Sequence, residues 1–178
     1  MKRVALVVGH KPSSKGAYNK TYDMFEFDFN NELVKEVEKK LTAGWFDKVK
    51  TVIIYRDTFK GLPDKIDAEN PDFIISFHCN AFNTKAGGTE VLYYHSSKNG
   101  KKMAEILQKH LLKLGFNDRG ILGRTAEDRG GYLLRYTNAP CVIAEPFFID
   151  NDDEYTGFDV DDLVEYYVDA IEAIADEL

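Results

Sequence analysis

Short apolar runs alternating with helical stripes constrain this chain more than any other feature. Val4–Val8, Thr51–Tyr55, Phe73–Phe77 and Val142–Ala144 have strand length, and all four are rich in aliphatic or aromatic residues. Such near-continuous apolar runs are what a strand covered on both faces requires. A fifth run, Thr89–Tyr94, follows the turn signal Gly87-Gly88. Between them lie helical patterns. From Glu26 the positions Asn30, Leu33, Val37 and Leu41 recur at steps of four, three, four and four, the inward stripe of a helix ending near Gly44. Met103, Ile106, Leu107, His110, Leu111 and Leu114 form a second stripe, stopped by Gly115, and Val160 to Leu178 carries a third. This alternation predicts an α/β fold: a mostly parallel, twisted sheet of about five or six strands with helices on both faces. No repeat, low-complexity tract or linker divides the 178 residues, so one domain over 1–178 is expected.

Charge and cysteine usage narrow the partners. The formal charge is −7, and much of the acid lies near the end, in DNDDEY and DVDD. That balance argues against nucleic acid or an anionic membrane surface. No run approaches the ~20 apolar residues of a membrane span. Two cysteines, Cys79 and Cys141, are too few for a disulfide framework. The opening MKRVALVVGH has an apolar run too short for the core of a secretion signal, and no cleavage pattern follows it. Cytoplasmic synthesis without a signal peptide is the expectation.

Two segments are read as long loops: 11–25, polar and glycine-containing, and 115–132, which carries Arg119, Arg124 and Arg129 among five glycines. Long loops in small domains are often functional.

Chemistry concentrates at strand ends. His10 follows the first strand and His78 closes Phe73–Phe77, so both lie at carboxyl ends, the edge where open α/β sheets bind ligands. His110 sits within an apolar helical stripe and reads as a core or boundary residue, while His95 precedes a turn, on the surface or a pocket rim. Glu26 is in phase with the buried stripe of its helix. Either it is a first-turn acid facing water and complementing the helix dipole, or it is an inward carboxylate that needs a cation. Two histidines and one carboxylate form the donor set of a catalytic zinc with an open fourth position. Glu145 ends the apolar run of PCVIAEPFFIDN. It is either a buried acid held by a partner such as Arg135, or a general acid/base raised in pKa by its surroundings. Cys79 alternates with His78 and should point to the opposite face, as a small buried hydrophobe. Asn80 either orients backbone or substrate, or stabilises the turn.

Together VVGH with His10, the helix-opening Glu26, SFHCNA with His78 and Asn80, GGTEVLYY, and PCVIAEPFFIDN with Glu145 resemble the zinc-dependent N-acetylmuramoyl-L-alanine amidases of the amidase-3 type. The likeness runs along nearly the whole chain and is greatest to catalytic domains of bacteriophage endolysins. It implies one zinc per chain held by His10, Glu26 and His78, with Glu145 as catalytic acid/base. It also implies peptidoglycan as partner and cleavage of the amide between N-acetylmuramic acid and L-alanine. Where the family commonly has glycines after the first histidine, this chain has Lys11-Pro12-Ser13. A monomeric catalytic domain without a separate cell-wall-binding domain is expected, acting on the bacterial wall after release. Arg124 and Arg129, with Asn80, are candidates for substrate contact, since guanidinium pairs well with the carboxylates of a stem peptide; solvated loop arginines are the alternative. A zinc peptidase or carboxypeptidase acting within the stem peptide, and a non-catalytic wall-binding domain of the same fold, are the competing functions.

Overall fold

The computed structural model describes residues 1–43 and 49–178. In chain order the elements are β1 (Lys2–Val8), β2 (Tyr18–Asn19), β3 (Met24–Phe25), α1 (Glu26–Thr42), β4 (Val49–Tyr55), α2 (Leu62–Asp67), β5 (Phe73–Phe77) and β6 (Thr89–Tyr94). There follow α3 (Lys98–Leu111), β7 (Asp118–Arg124), α4 (Gly131–Tyr136), β8 (Cys141–Glu145), α5 (Asp152–Tyr155) and α6 (Val160–Glu177). Six strands form one sheet in the order β4-β1-β5-β8-β6-β7. Neighbours are parallel except β6 and β8, which pair antiparallel. The expected strands all form, and the mostly parallel sheet with helices on both faces is the architecture observed.

Cover on the two faces is unequal. Strand alternation sends Val4, Leu6, Val8, Phe73, Ile75, Phe77, Val142 and Ala144 to one face. There they meet Leu33, Val34 and Val37 of α1, Met103 and Leu107 of α3, and Leu163, Tyr167 and Ile171 of α6. Each such side chain, fully buried, contributes on the order of 1.5–3 kcal/mol, so this large cluster dominates stability. The opposite face carries Ala5, Val7, Ile74, Leu92, Cys141 and Ile143, covered by Leu62 and Ile66 of α2 and Leu133 and Leu134 of α4. Two one-to-two-turn helices cannot reach the whole sheet, and its upper edge on that side stays open.

Several expectations need correction. The segment 115–132 is not a plain loop: Asp118–Arg124 pairs with β6 as the sixth strand. It is an edge strand, only partly buried, so it shows no apolar run. Residues 11–25 contain the small β2–β3 hairpin. The second helix begins at Lys98, earlier than its apolar stripe, because the Ser97 side chain accepts a hydrogen bond from Gly100 N and caps it. It ends at Leu111 and continues as a 3-10 turn to Leu114. The expected end of α1 near Gly44 lies outside the described residues.

Candidate active site

β5 alternates strictly, so Ile74, Ser76 and His78 share the thinly covered face, while Cys79 turns into the main core at 3% exposure. Its thiol lies 3.7 Å from Asn30 Nδ2, as a buried hydrophobe would. On β8 the same alternation aligns Ile143 with Glu145, and on β6 it aligns Leu92 with Glu90. His78, Glu145 and Glu90 therefore form the top row on one side of the sheet. Beneath them Val7, Ser76, Ile143 and Leu92 form an apolar floor with one hydroxyl.

Glu26 reaches this edge from the first turn of α1. The residue is 3% exposed, so the water-facing alternative fails. Its Oε2 lies 3.0 Å from His10 Nε2 and its Oε1 lies 2.9 Å from His78 Nδ1. Ala17 N and Cys79 N also donate to the two oxygens, which fixes the carboxylate plane. Burial alone would raise this acid. The hydrogen bonds and charge of the two histidines overcome burial and hold it well below the usual carboxylate range. One donor atom from each of His10, Glu26 and His78 lies within 4.8 Å of the others, the only group of this kind among the described residues. His10 adopts φ 65°, an uncommon conformation for a residue with a side chain, and this turns its ring inward.

A divalent metal fits this donor set on a second ground. Gly16, at φ +80°, faces the triad so closely that an added Cβ would lie 2.6 Å from both Glu26 Oε2 and His10 Nε2. The backbone has been kept clear of side chains just where the three donors converge.

Glu145 lines the same cavity, of about 380 Å³, with the triad. Burial pushes its carboxyl up; the Arg129 charge works against this, and neighbouring Glu90 adds to it. Arg129 Nη2 donates to Glu145 Oε2 at 2.7 Å. The partner of Glu145 is thus Arg129, not Arg135, which stacks on the rings of Tyr94 and Tyr136. Asn80 is 6% exposed and donates to Glu90 Oε1 at 2.9 Å, while its own Oδ1 accepts from Ala81 N. Arg124 stands at the end of β7, and His95 is exposed beyond β6.

Glu90 was missed in the sequence. It is 2% exposed and gathers Asn80, Arg119 Nε at 2.6 Å and Arg129 Nη2 at 3.6 Å. An acid inside the apolar run TEVLYY was the available signal, but only the antiparallel register brings it opposite Glu145.

Comparison with known proteins decides the family. A sequence model of the N-acetylmuramoyl-L-alanine amidases matches residues 4–175. The chain belongs to that family. It is 29% identical over 150 residues to N-acetylmuramoyl-L-alanine amidase LytC of Bacillus subtilis (strain 168), covering 80% of this chain and 28% of LytC. The chain therefore spans little more than a quarter of that relative. Uncharacterized protein YqiI of the same organism is 28% identical over 156 residues, covering 84% of this chain and 71% of YqiI. Among solved structures, the N-acetylmuramoyl-L-alanine amidase from Clostridium difficile 630 superposes with a TM-score of 0.87 at 24% identity, covering 98% of this chain and 97% of that one. The catalytic domain of an endolysin targeting Clostridia Difficile gives 0.77 at 21% identity, covering 96% and 97%. These last two likenesses concern the fold.

Proposed function

We propose that this amidase-family chain is a zinc-dependent peptidoglycan hydrolase that cleaves the amide between the lactyl group of N-acetylmuramic acid and L-alanine of the stem peptide. The observation that carries this reading is the convergence of His10, Glu26 and His78 in one cavity with a buried acid, Glu145. Zinc bound by the triad would supply Lewis acidity, polarising a carbonyl oxygen and acidifying water. Glu26 would balance the positive charge, its carboxylate plane fixed by Ala17 N and Cys79 N. Glu145, raised by burial, is suited to take a proton from the attacking water and deliver it to the leaving nitrogen. The water oxygen joins the lactyl carbonyl carbon, the C–N bond breaks, and L-alanine departs as an amine. The apolar floor limits the water that competes for Glu145. Arg124, Arg129 and Asn80 face the substrate side in this reading. All the reacting groups come from one chain, so a monomer suffices.

Bacteriolytic action as an endolysin, following cytoplasmic synthesis and release to the wall, is the finer form of the proposal. It is supported by the order of the five sequence motifs. No helix among the described residues is long and apolar enough to cross a membrane. Mass spectrometry of digested peptidoglycan tests the bond: free L-alanine amino termini are expected without new reducing sugar ends. New reducing ends would identify a glycosidase, and release of D-alanine alone a carboxypeptidase; either overturns the reading.

A further inference from the structure

Beside the catalytic cavity lies a second hollow, of about 590 Å³, running from Glu90 at the start of β6 along β7 to Arg124. Its walls include Arg119, Arg124 and Arg129, with Glu90 as the single acid. A chain carrying a net −7 has here concentrated three guanidinium groups against one buried carboxylate. Resting on the amidase reading, we propose that Arg129, with Arg124 beside it, recognises the free α-carboxylate of the stem-peptide residue that follows L-alanine. The chain would then favour stem peptides in which that carboxylate is not amidated.

The three arginines differ in what they have left to give. Arg119 is committed: its Nε donates to Glu90 at 2.6 Å, and its guanidinium lies over the Phe148 ring at 5.1 Å. Arg129 lines both hollows. Its side chain is 59% exposed, and Nη2 alone is engaged by Glu145 and Glu90. A guanidinium has five N–H donors, so most of its fork is open to a ligand. Arg124 Nε is shielded from water and has no hydrogen-bond partner among the described residues, so only the outer nitrogens of this guanidinium are left to meet a ligand. Asp128, in the same turn, accepts from Thr125 N and Oγ1 and feels the Arg124 charge, so Arg129 is the less compensated of the two.

Reach selects which carboxylate. Glu145 must stand about 3 Å from the leaving nitrogen to give it a proton, and Arg129 is 2.7 Å beyond Glu145 Oε2. From that nitrogen, one alanine and the next Cα–C bond extend about 6 Å, which carries the α-carboxylate of the second residue to the guanidinium. Carboxylates further along the stem lie at least another ~7 Å away. A carboxylate matches the planar fork bidentately, whereas a carboxamide offers one acceptor and no charge.

Two muramoyl dipeptides test this directly: N-acetylmuramoyl-L-alanyl-D-isoglutamate and its amidated counterpart, N-acetylmuramoyl-L-alanyl-D-isoglutamine. Zinc-loaded protein is expected to prefer the first by about 10- to 100-fold in kcat/KM, chiefly through KM, the scale of a charge-assisted hydrogen bond. Arg129→Gln should bring the ratio to about 3-fold or less and Arg129→Lys should retain part of it, whatever either does to the absolute rate. Arg135→Gln, outside the groove, should leave the ratio at the wild-type value. Equal hydrolysis of both substrates, or an unchanged ratio in Arg129→Gln, overturns the inference and leaves the amidase reading standing. Hydrolysis of neither overturns the amidase reading, and this inference with it.

Discussion

On the zinc reading proposed above, replacing Gly16 by alanine should abolish metal binding while leaving most of the fold in place. Two effects are superposed at this position and can be separated. The first is backbone strain: Gly16 has φ +80°, and a side chain in the left-handed region costs about 1–2 kcal/mol. Gly115 has φ +87° with no atom within 4 Å of an added Cβ, so Gly115→Ala isolates that term. The second effect is steric and belongs to Gly16 alone. Its Cβ would lie 2.5 Å from His10 Cδ2 and 2.6 Å from Glu26 Oε2, against an ordinary carbon contact of about 3.5–4.0 Å. Both groups would have to retreat by about 1 Å, several times the ~0.2 Å that ligand distances tolerate. Glu26 has nowhere to go, because its side chain is 4% exposed and held by two backbone N–H groups. Zinc competition titrations should therefore show affinity falling at least about 100-fold in Gly16→Ala, the upper end of what orienting groups around a metal contribute. Gly115→Ala should bind zinc like wild type. Urea denaturation of the chelated proteins should show a loss of about 1–2 kcal/mol in the control and at least as much in Gly16→Ala. Wild-type zinc affinity in Gly16→Ala would refute the argument that this backbone shapes the ligand cradle. Equal loss of zinc in both variants would trace the effect to strain instead.

Glu154→Ala should destabilise the protein by about 3 kcal/mol, because this buried carboxylate accepts from Phe148 N at 2.8 Å and Gly88 N at 2.6 Å, and each orphaned N–H costs roughly 1–3 kcal/mol. A loss below about 1 kcal/mol in urea denaturation would show that water replaces the carboxylate. Glu145→Gln should retain zinc yet lose about 10²–10⁴-fold in turnover, and wild-type turnover would remove Glu145 from the reaction. The same variant has a signature in stability. With its carboxyl raised to about 8, the folded chelated protein binds more protons than the unfolded chain above the ordinary glutamate value of ~4.3. Wild-type stability should thus fall as pH rises through that window, and Glu145→Gln should remove this part of the fall. Parallel wild-type and variant curves would refute it.

What was legible in the sequence tracks what is repeated along the chain. Buried strands announce themselves because both faces are covered, and the helical stripes of α1, α3 and α6 do so because they meet the large core. β7 escaped because an edge strand need not be apolar: Asp118, Arg119 and the glycines make it resemble a loop. α2, α4 and α5 are too short to show a helical period. The triad was legible for a different reason. His10 and His78 end strands of evident direction, and helix phase put Glu26 on the buried side as one of two readings; the family resemblance supplied the ligand set. The Arg129–Glu145 contact had no such signal, since it depends on how the turn at 125–131 folds back over β8.

Glu90 shows why the reversed strand pair matters to the site. Had β6 run parallel to β8, its amino-terminal residues would lie at the opposite edge of the sheet from His10, Glu26 and His78. Antiparallel pairing instead sets the start of β6 against the end of β8, with Glu90 directly opposite Glu145. Two carboxyl groups on neighbouring strands of one face disfavour joint ionisation. Burial would raise the Glu90 carboxyl, but hydrogen bonding with Glu145 and the charges of Arg119 and Arg129 hold it below its ordinary value, and the proton is left to Glu145. The pair thus divides its roles by environment: one acid stays charged and anchors arginines, and the other, raised by burial and by its neighbour, can exchange a proton beside His10, Glu26 and His78. The acid that the sequence did not reveal is thus one whose hydrogen bond and charge oppose ionisation of Glu145.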